Sequence, residues 1–304
     1  MNRTGGRTRI IEGLALALMA LTVIGCASAN KTAFRQASAA SAWSFAAGDY
    51  GKAIEAYQRL YEKDRANGRV VSGYAAMIED VKTAGDEARA KGSFTTAQGA
   101  YRVICDGWDG FSAIASRLTF KKSDLEAGIR DCRLALCERQ FRQELGTGNH
   151  AKALAVYQAA LKDYPGNAAA KDLYAKGVAD IRAIGTRALE AKDYALAGKV
   201  SGLLLRNIDS IEAVAGRTAG GGSARRDLEE TIRACSSRLT NGGLVEYRKG
   251  NIESAIMLWD ELLGFDPGNT EIKKAVETAK AQLGKLKGSG RGGGRSGRSA
   301  RGAR

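Results

Sequence analysis

Protein chemistry needs a nucleophile, a base or a metal ligand, and this chain is poor in all three. His150 is the single histidine in 304 residues, and one imidazole cannot supply a zinc-binding helix pair. It fills a slot taken elsewhere by Tyr50, Phe94, Tyr194 and Ile252, which reads as a packing position. No Gly-x-x-x-x-Gly-Lys-Ser/Thr phosphate loop and no Gly-x-Ser-x-Gly nucleophile turn is present. Carboxylates are plentiful, but no spacing sets two apart as acid and base. The five cysteines are Cys26, Cys105, Cys132, Cys137 and Cys235, with no Cys-x-x-Cys pair among them. The expectation is a chain with no catalytic residue, no cofactor and no metal.

Cys26 stands apart from the other four. Arg3, Arg7 and Arg9 precede an apolar stretch of twelve residues, Gly13 to Ile24. A bilayer span needs about 20 residues, whereas this length and these flanks suit a secretory signal. The stretch closes on Val23-Ile24-Gly25-Cys26, which resembles the bacterial lipobox. That resemblance implies cleavage after Gly25 and a diacylglyceryl thioether on Cys26. Ala27 in place of an aspartate implies an outer-membrane destination, with the protein lipid-anchored there and facing the periplasm. Export would place the other cysteines in an oxidising compartment.

The net charge is +14. The leader carries +2, and the tail of residues 288–304 carries five arginines and no acid, so +7 remains for the body. A body so mildly basic suits an anionic partner and does not call for nucleic acid.

Five stretches share one local pattern: a short polar turn, a bulky residue, and then an alanine three residues on. The alanines are Ala53, Ala97, Ala153, Ala197 and Ala255. Four residues later stand Tyr57, Tyr101, Tyr157, Ser201 and Trp259, and three beyond those Leu60, Ile104, Ala160, Leu204 and Leu262. This spacing puts all three positions on one helix face. A small residue is required where two helices cross closely. Lys52-Ala-Ile-Glu-Ala-Tyr-Gln matches Lys152-Ala-Leu-Ala-Val-Tyr-Gln at an offset of 100, and Asp124-Leu-Glu-Ala-Gly-Ile-Arg-Asp-Cys matches Asp227-Leu-Glu-Glu-Thr-Ile-Arg-Ala-Cys at 103. The chain therefore reads as two and a half copies of a two-hairpin unit of about 100 residues. The second match gives Cys132 and Cys235 a shared packing role.

These repeats resemble the tetratricopeptide repeat, a helix-turn-helix unit. The resemblance covers about Phe34 to Leu286 and is strongest around Ala153 and Ala255, where Tyr164-Pro-Gly-Asn and Asp266-Pro-Gly-Asn close the second helix. The small residue of each first helix is Ser41, Gly85, Gly185 or Gly243. Phe141 replaces it in the third hairpin, so packing there must differ. The implied fold is all-α, a TPR-like helical-hairpin solenoid, or superhelix. Steps of 44, 56, 44 and 58 residues between Tyr50, Phe94, His150, Tyr194 and Ile252 exceed the family's period of about 34, so extra helices are expected between repeats. By composition, Asp106-Gly-Trp-Asp-Gly and Ala219-Gly-Gly-Gly-Ser are loops.

The expected organisation is a removed signal peptide (1–25), a lipidated linker (26–33), a solenoid of about five hairpins (34–287) and a disordered Arg/Gly-rich tail (288–304). Members of the repeat family bind proteins or peptides along their first helices. The implied function is an envelope scaffold or adaptor, an accessory to assembly or secretion. The alternative is a structural envelope protein that holds anionic glycan or lipopolysaccharide on a basic surface. Counted from the small crossing residues, the partner-facing candidates are Glu79, Lys82, Asp86 and Arg89, then Glu138 and Arg142, then Arg182, and last Tyr247 and Arg248. The tail is a candidate for anionic lipid or glycan. Cys105 ends the second hairpin and Cys137 opens the third, so a disulfide between them is one expectation and four buried free thiols the other.

Overall fold

With only Pro165 and Pro267 to break them, alanine-rich segments form long helices. The structure, a computed structural model, describes residues 29–215 and 221–289. These form α1 (Ala29–Ala46), α2 (Tyr50–Lys63), α3 (Gly68–Ala90), α4 (Phe94–Asp106), a 3-10 segment (Trp108–Arg117), α5 (Lys122–Gly146), α6 (His150–Asp163), α7 (Ala168–Glu190), α8 (Tyr194–Arg206), α9 (Ile208–Ala215), α10 (Gly221–Arg248), α11 (Ile252–Leu263) and α12 (Thr270–Ser289). No strand occurs among the described residues. The fold is all-α, with helical hairpins in tandem.

Local chemistry sets each reversal. Gly48, Gly92, Gly148 and Gly250 sit between first and second helices at φ 80°, 73°, 76° and 83°. The next amide N–H returns to the preceding helix, as from Asp49 to Ser44 O at 2.8 Å, which closes a Schellman turn. The fourth hairpin holds the same turn with Lys192 at φ 62°, a conformation that costs a non-glycine residue about 1–2 kcal/mol. Between hairpins, Asn67, Asn167 and Asn269 cap the next helix by accepting from Val70, Ala170 and Ile272 N–H. The first of these turns lacks a proline yet keeps the side-chain bond of the third: Asn67 donates to the Asp64 carboxylate at 3.1 Å, as Asn269 does to Asp266 at 3.3 Å.

The five repeat alanines are all at zero exposure. Tyr57, Tyr101, Tyr157 and Trp259 are buried beside them. Phe141, the misfit in the small-residue series, stacks on Tyr157 at 4.3 Å and 13°. That stack is the local difference in packing expected there.

The duplication extends through whole elements. Helices α2, α3 and α4 have 14, 23 and 13 residues, and so do α6, α7 and α8. The 44-residue steps are long because their first helices are long. The longer steps add the 3-10 segment or α9. Trp108, Phe111 and Ile114 on the former correspond to Ile208, Ile211 and Val214 on the latter, one apolar residue every third position packed into the core. Asp106-Gly-Trp-Asp-Gly is therefore not a loop: it carries the end of α4 into the 3-10 segment. Gly221, Gly222 and Ser223 likewise begin α10.

The chain divides into two compact units, one up to Cys132 and one from Arg133, the boundary falling inside α5. The core of the first gathers Tyr57, Tyr74, Ile78, Tyr101, Phe111 and Cys132. The second has a cluster around Tyr157, Tyr174 and Leu204 and another around Cys235, Trp259 and Phe265. Helix α1 already begins at Ala29, inside the stretch read as linker. The signal segment and Cys26 lie outside the described residues, as does the tail beyond Ser289.

Candidate functional site

In three hairpins the core aromatic of the second helix hydrogen-bonds the half-buried row of the first helix. In the first unit Tyr57 OH hydrogen-bonds Ser38 Oγ at 3.2 Å, and Tyr101 OH donates to Asp86 Oδ1 at 2.6 Å. In the second, Trp259 Nε1 donates to Thr240 O at 3.3 Å. Ser38 and Thr240 stand three residues before the small crossing residue, and Asp86 one after it. In the third hairpin those same positions are Glu138 and Arg142. Burial pushes Tyr157 up to about 12, the Glu138 carboxylate adds to the rise, and Arg142 opposes it. The aromatic ring thus packs in the core while its polar tip reaches the polar row of the first helix.

On α3 this row is fully occupied by the protein itself. Lys82 Nζ pairs with Asp86 Oδ2 at 2.6 Å and lies 5.6 Å from the Phe120 ring centroid. Burial alone would raise Asp86, but hydrogen bonds from Lys82 and Tyr101 outweigh it and hold the carboxyl below its usual range. Glu79 accepts from Thr119 N–H at 2.5 Å and from Thr119 Oγ1 at 3.0 Å. Arg89 reaches Asp131 at 3.7 Å. Glu79 and Lys82 therefore tie α3 to the segment that leads into α5, Asp86 ties it to α4, and Arg89 to α5 itself.

The second unit leaves more of its charge free. Arg142 is exposed and pairs with Glu138 one turn away. Tyr247 OH donates to Gln282 Oε1 on α12, and its ring lies 5.9 Å from Trp259. Arg182 is half-buried and Arg248 exposed, and neither has a salt bridge among the described residues. Of the nine candidates, these two keep an uncommitted cation.

One feature of the second unit escaped the sequence reading. Between α5 and α6 runs an open groove of about 430 Å³ whose walls include Arg133, Leu136, Cys137, Glu144, Lys152 and Val156. Burial raises the Cys137 thiol further than nearby Arg133 lowers it, which disfavours its thiolate. The groove left no signal because its walls mix charge and apolar residues without a period.

Cys105, Cys132, Cys137 and Cys235 are free thiols, all raised by burial. Cys105 and Cys137, the pair of the disulfide expectation, belong to different units. Cys132 and Cys235 are both fully buried in their cores. His150 is half-buried at the start of α6, its pKa lowered by burial. Among the described residues no three His, Cys, Asp or Glu side chains gather as a metal site, and no helix is long and apolar enough to cross a membrane.

A tetratricopeptide-repeat family model matches residues 133–167, from within α5 through α6 to the turn that follows it. No curated protein matches the chain. One similar solved structure is a circular tandem repeat protein with novel repeat topology and enhanced subunit contact surfaces. It is 16% identical over 84% of this chain and 61% of that one, with a TM-score of 0.21. The chain thus spans less than two thirds of that protein's length.

Proposed function

We propose that this protein is a lipid-anchored scaffold of the bacterial cell envelope. In this reading the acyl group on Cys26 tethers it to the outer membrane, facing the periplasm. A partner protein or peptide docks along the first helices of the second unit, and the complex serves envelope assembly or secretion. Tandem helical hairpins present successive first helices as one extended binding surface.

The observation that carries the reading is the uncommitted charge on those helices. Among the described residues Arg182 and Arg248 have no carboxylate partner, while every α3 candidate is bound internally. A guanidinium held ready on a rigid helix suits a carboxylate, such as an acidic segment or a chain end.

Arg182→Ala combined with Arg248→Ala should weaken capture of an acidic partner from cross-linked envelopes about tenfold, an effect of about 1–2 kcal/mol, with an unchanged circular dichroism spectrum. Deleting residues 288–304 should do less. If the deletion abolishes capture and the double variant leaves it intact, the helices are not the docking site. Recovery of glycan or lipopolysaccharide alone would favour a structural envelope protein with a basic binding surface.

A further inference from the structure

We infer that α1 lies along the membrane surface, with Trp43 in the headgroup layer. This rests on the lipid anchor proposed above. Trp43 is 78% exposed, the most open large hydrophobic side chain among the described residues. It is not alone on its face. Thr32, Gln36, Ala39, Ala40, Trp43 and Ala46 fall on one side of α1 and are all exposed. The opposite side is the packed one: Ser41 is fully buried and donates to Ala53 O at 2.7 Å, and Phe34 meets Tyr57 with ring centroids 6.2 Å apart. The outer face is thus a smooth, nearly uncharged strip, and nothing in the first unit covers it.

The chain that precedes α1 supplies the occupant. Cys26 stands three residues before Ala29, the first residue of α1, which allows at most ~10 Å of extended chain. An acylated Cys26 would sit at headgroup level and hold the start of α1 there. The helix is ~27 Å long, and Trp43 lies ~21 Å from its start. Standing upright, α1 would lift Trp43 clear of the lipid; lying flat, it sets the whole strip on the surface. Charge favours the flat arrangement. From Gly13 to Gly48 the chain has no acidic residue, while Lys31 and Arg35 are basic, so anionic headgroups meet no repulsion. An indole, apolar with one N–H donor, is suited to that layer. The acyl chains provide the affinity, and the strip sets the orientation.

The test uses the full lipidated chain, extracted from membranes and reconstituted in vesicles of phosphatidylethanolamine and phosphatidylglycerol. The vesicles are prepared with or without acyl-brominated phosphatidylcholine. Trp108 and Trp259 are common to wild type and Trp43→Phe, so the difference between the two proteins isolates Trp43. Bromine should quench the Trp43 emission, and aqueous iodide should have little effect. Emission that ignores bromine and yields to iodide would overturn the inference, as would emission shielded from both, which would indicate a second copy or another protein on the strip. The mass of the N-terminal peptide separates the two premises. Acyl present without bromine quenching defeats the orientation alone, and acyl absent defeats the anchor and the orientation together.

Discussion

Asp86 shows how a charge that looks available on a helix face becomes part of the structure. Its spacing from Gly85 places it in the exposed row, and that much is readable from sequence. Its hydrogen bonds to Lys82 and to Tyr101, fifteen residues away, are not. Those bonds outweigh burial and keep its folded pKa low. A carboxylate with a depressed folded pKa adds stability above its unfolded value, near 3.9, and loses it as pH falls through the folded value. The thermal midpoint should therefore drop on acidification below about pH 4. Asp86→Asn should flatten part of that drop, by less than about 1 kcal/mol because the group is well solvated. Scanning fluorimetry over the acid range measures this, and parallel curves for the two proteins would remove Asp86 from the account. At this scale the sequence identified the core correctly: the repeat alanines and their aromatics are buried as their spacing requires. It could not tell a free arginine from a paired one, since rotamers and long-range partners decide that.

Among the elements, glycines separate close packing from mere helix interior. A methyl added at Gly177 on α7 would come within 2.6 Å of Tyr157 Cδ2 and 3.0 Å of Phe141 Cε2. Both rings are buried in a stack and cannot yield. Gly177→Ala should thus cost about 1–3 kcal/mol. Gly99 on α4 faces open space, with nothing within 4 Å of an added methyl. Gly99→Ala should instead stabilise by about 0.5–1 kcal/mol, the helix-propensity gain. Chemical denaturation of both variants checks the pair, and shifts of the same sign would contradict this packing of α6 on α7. Element boundaries were legible wherever turn chemistry was local, including Lys192 in a glycine's place. They were missed at the 3-10 segment and at the start of α10, where glycine-rich composition suggested loops. Packing against the core overrode composition at the 3-10 segment, as buried Phe111 and Ile114 show.

For the molecule as a whole, the anchor is the proposal with the clearest outcome. Cys26→Ser should abolish acyl labelling and move the protein from the membrane fraction to the soluble one, because a short apolar leader alone gives no stable span. A serine variant that is still acyl-labelled would refute the lipobox reading. The hairpins, their turns, their close crossings and the duplication were all determined by the sequence alone. Helical period, glycine turns and small crossing residues act over a few positions, and a repeat multiplies the signal. The tertiary structure alone decided which charges remain free. Glu79 is consumed by Thr119, forty residues away, and Arg89 by Asp131 on α5, while Arg182 is left without a carboxylate among the described residues. Such pairings depend on where helices distant in the chain come together, and no local pattern encodes that distance.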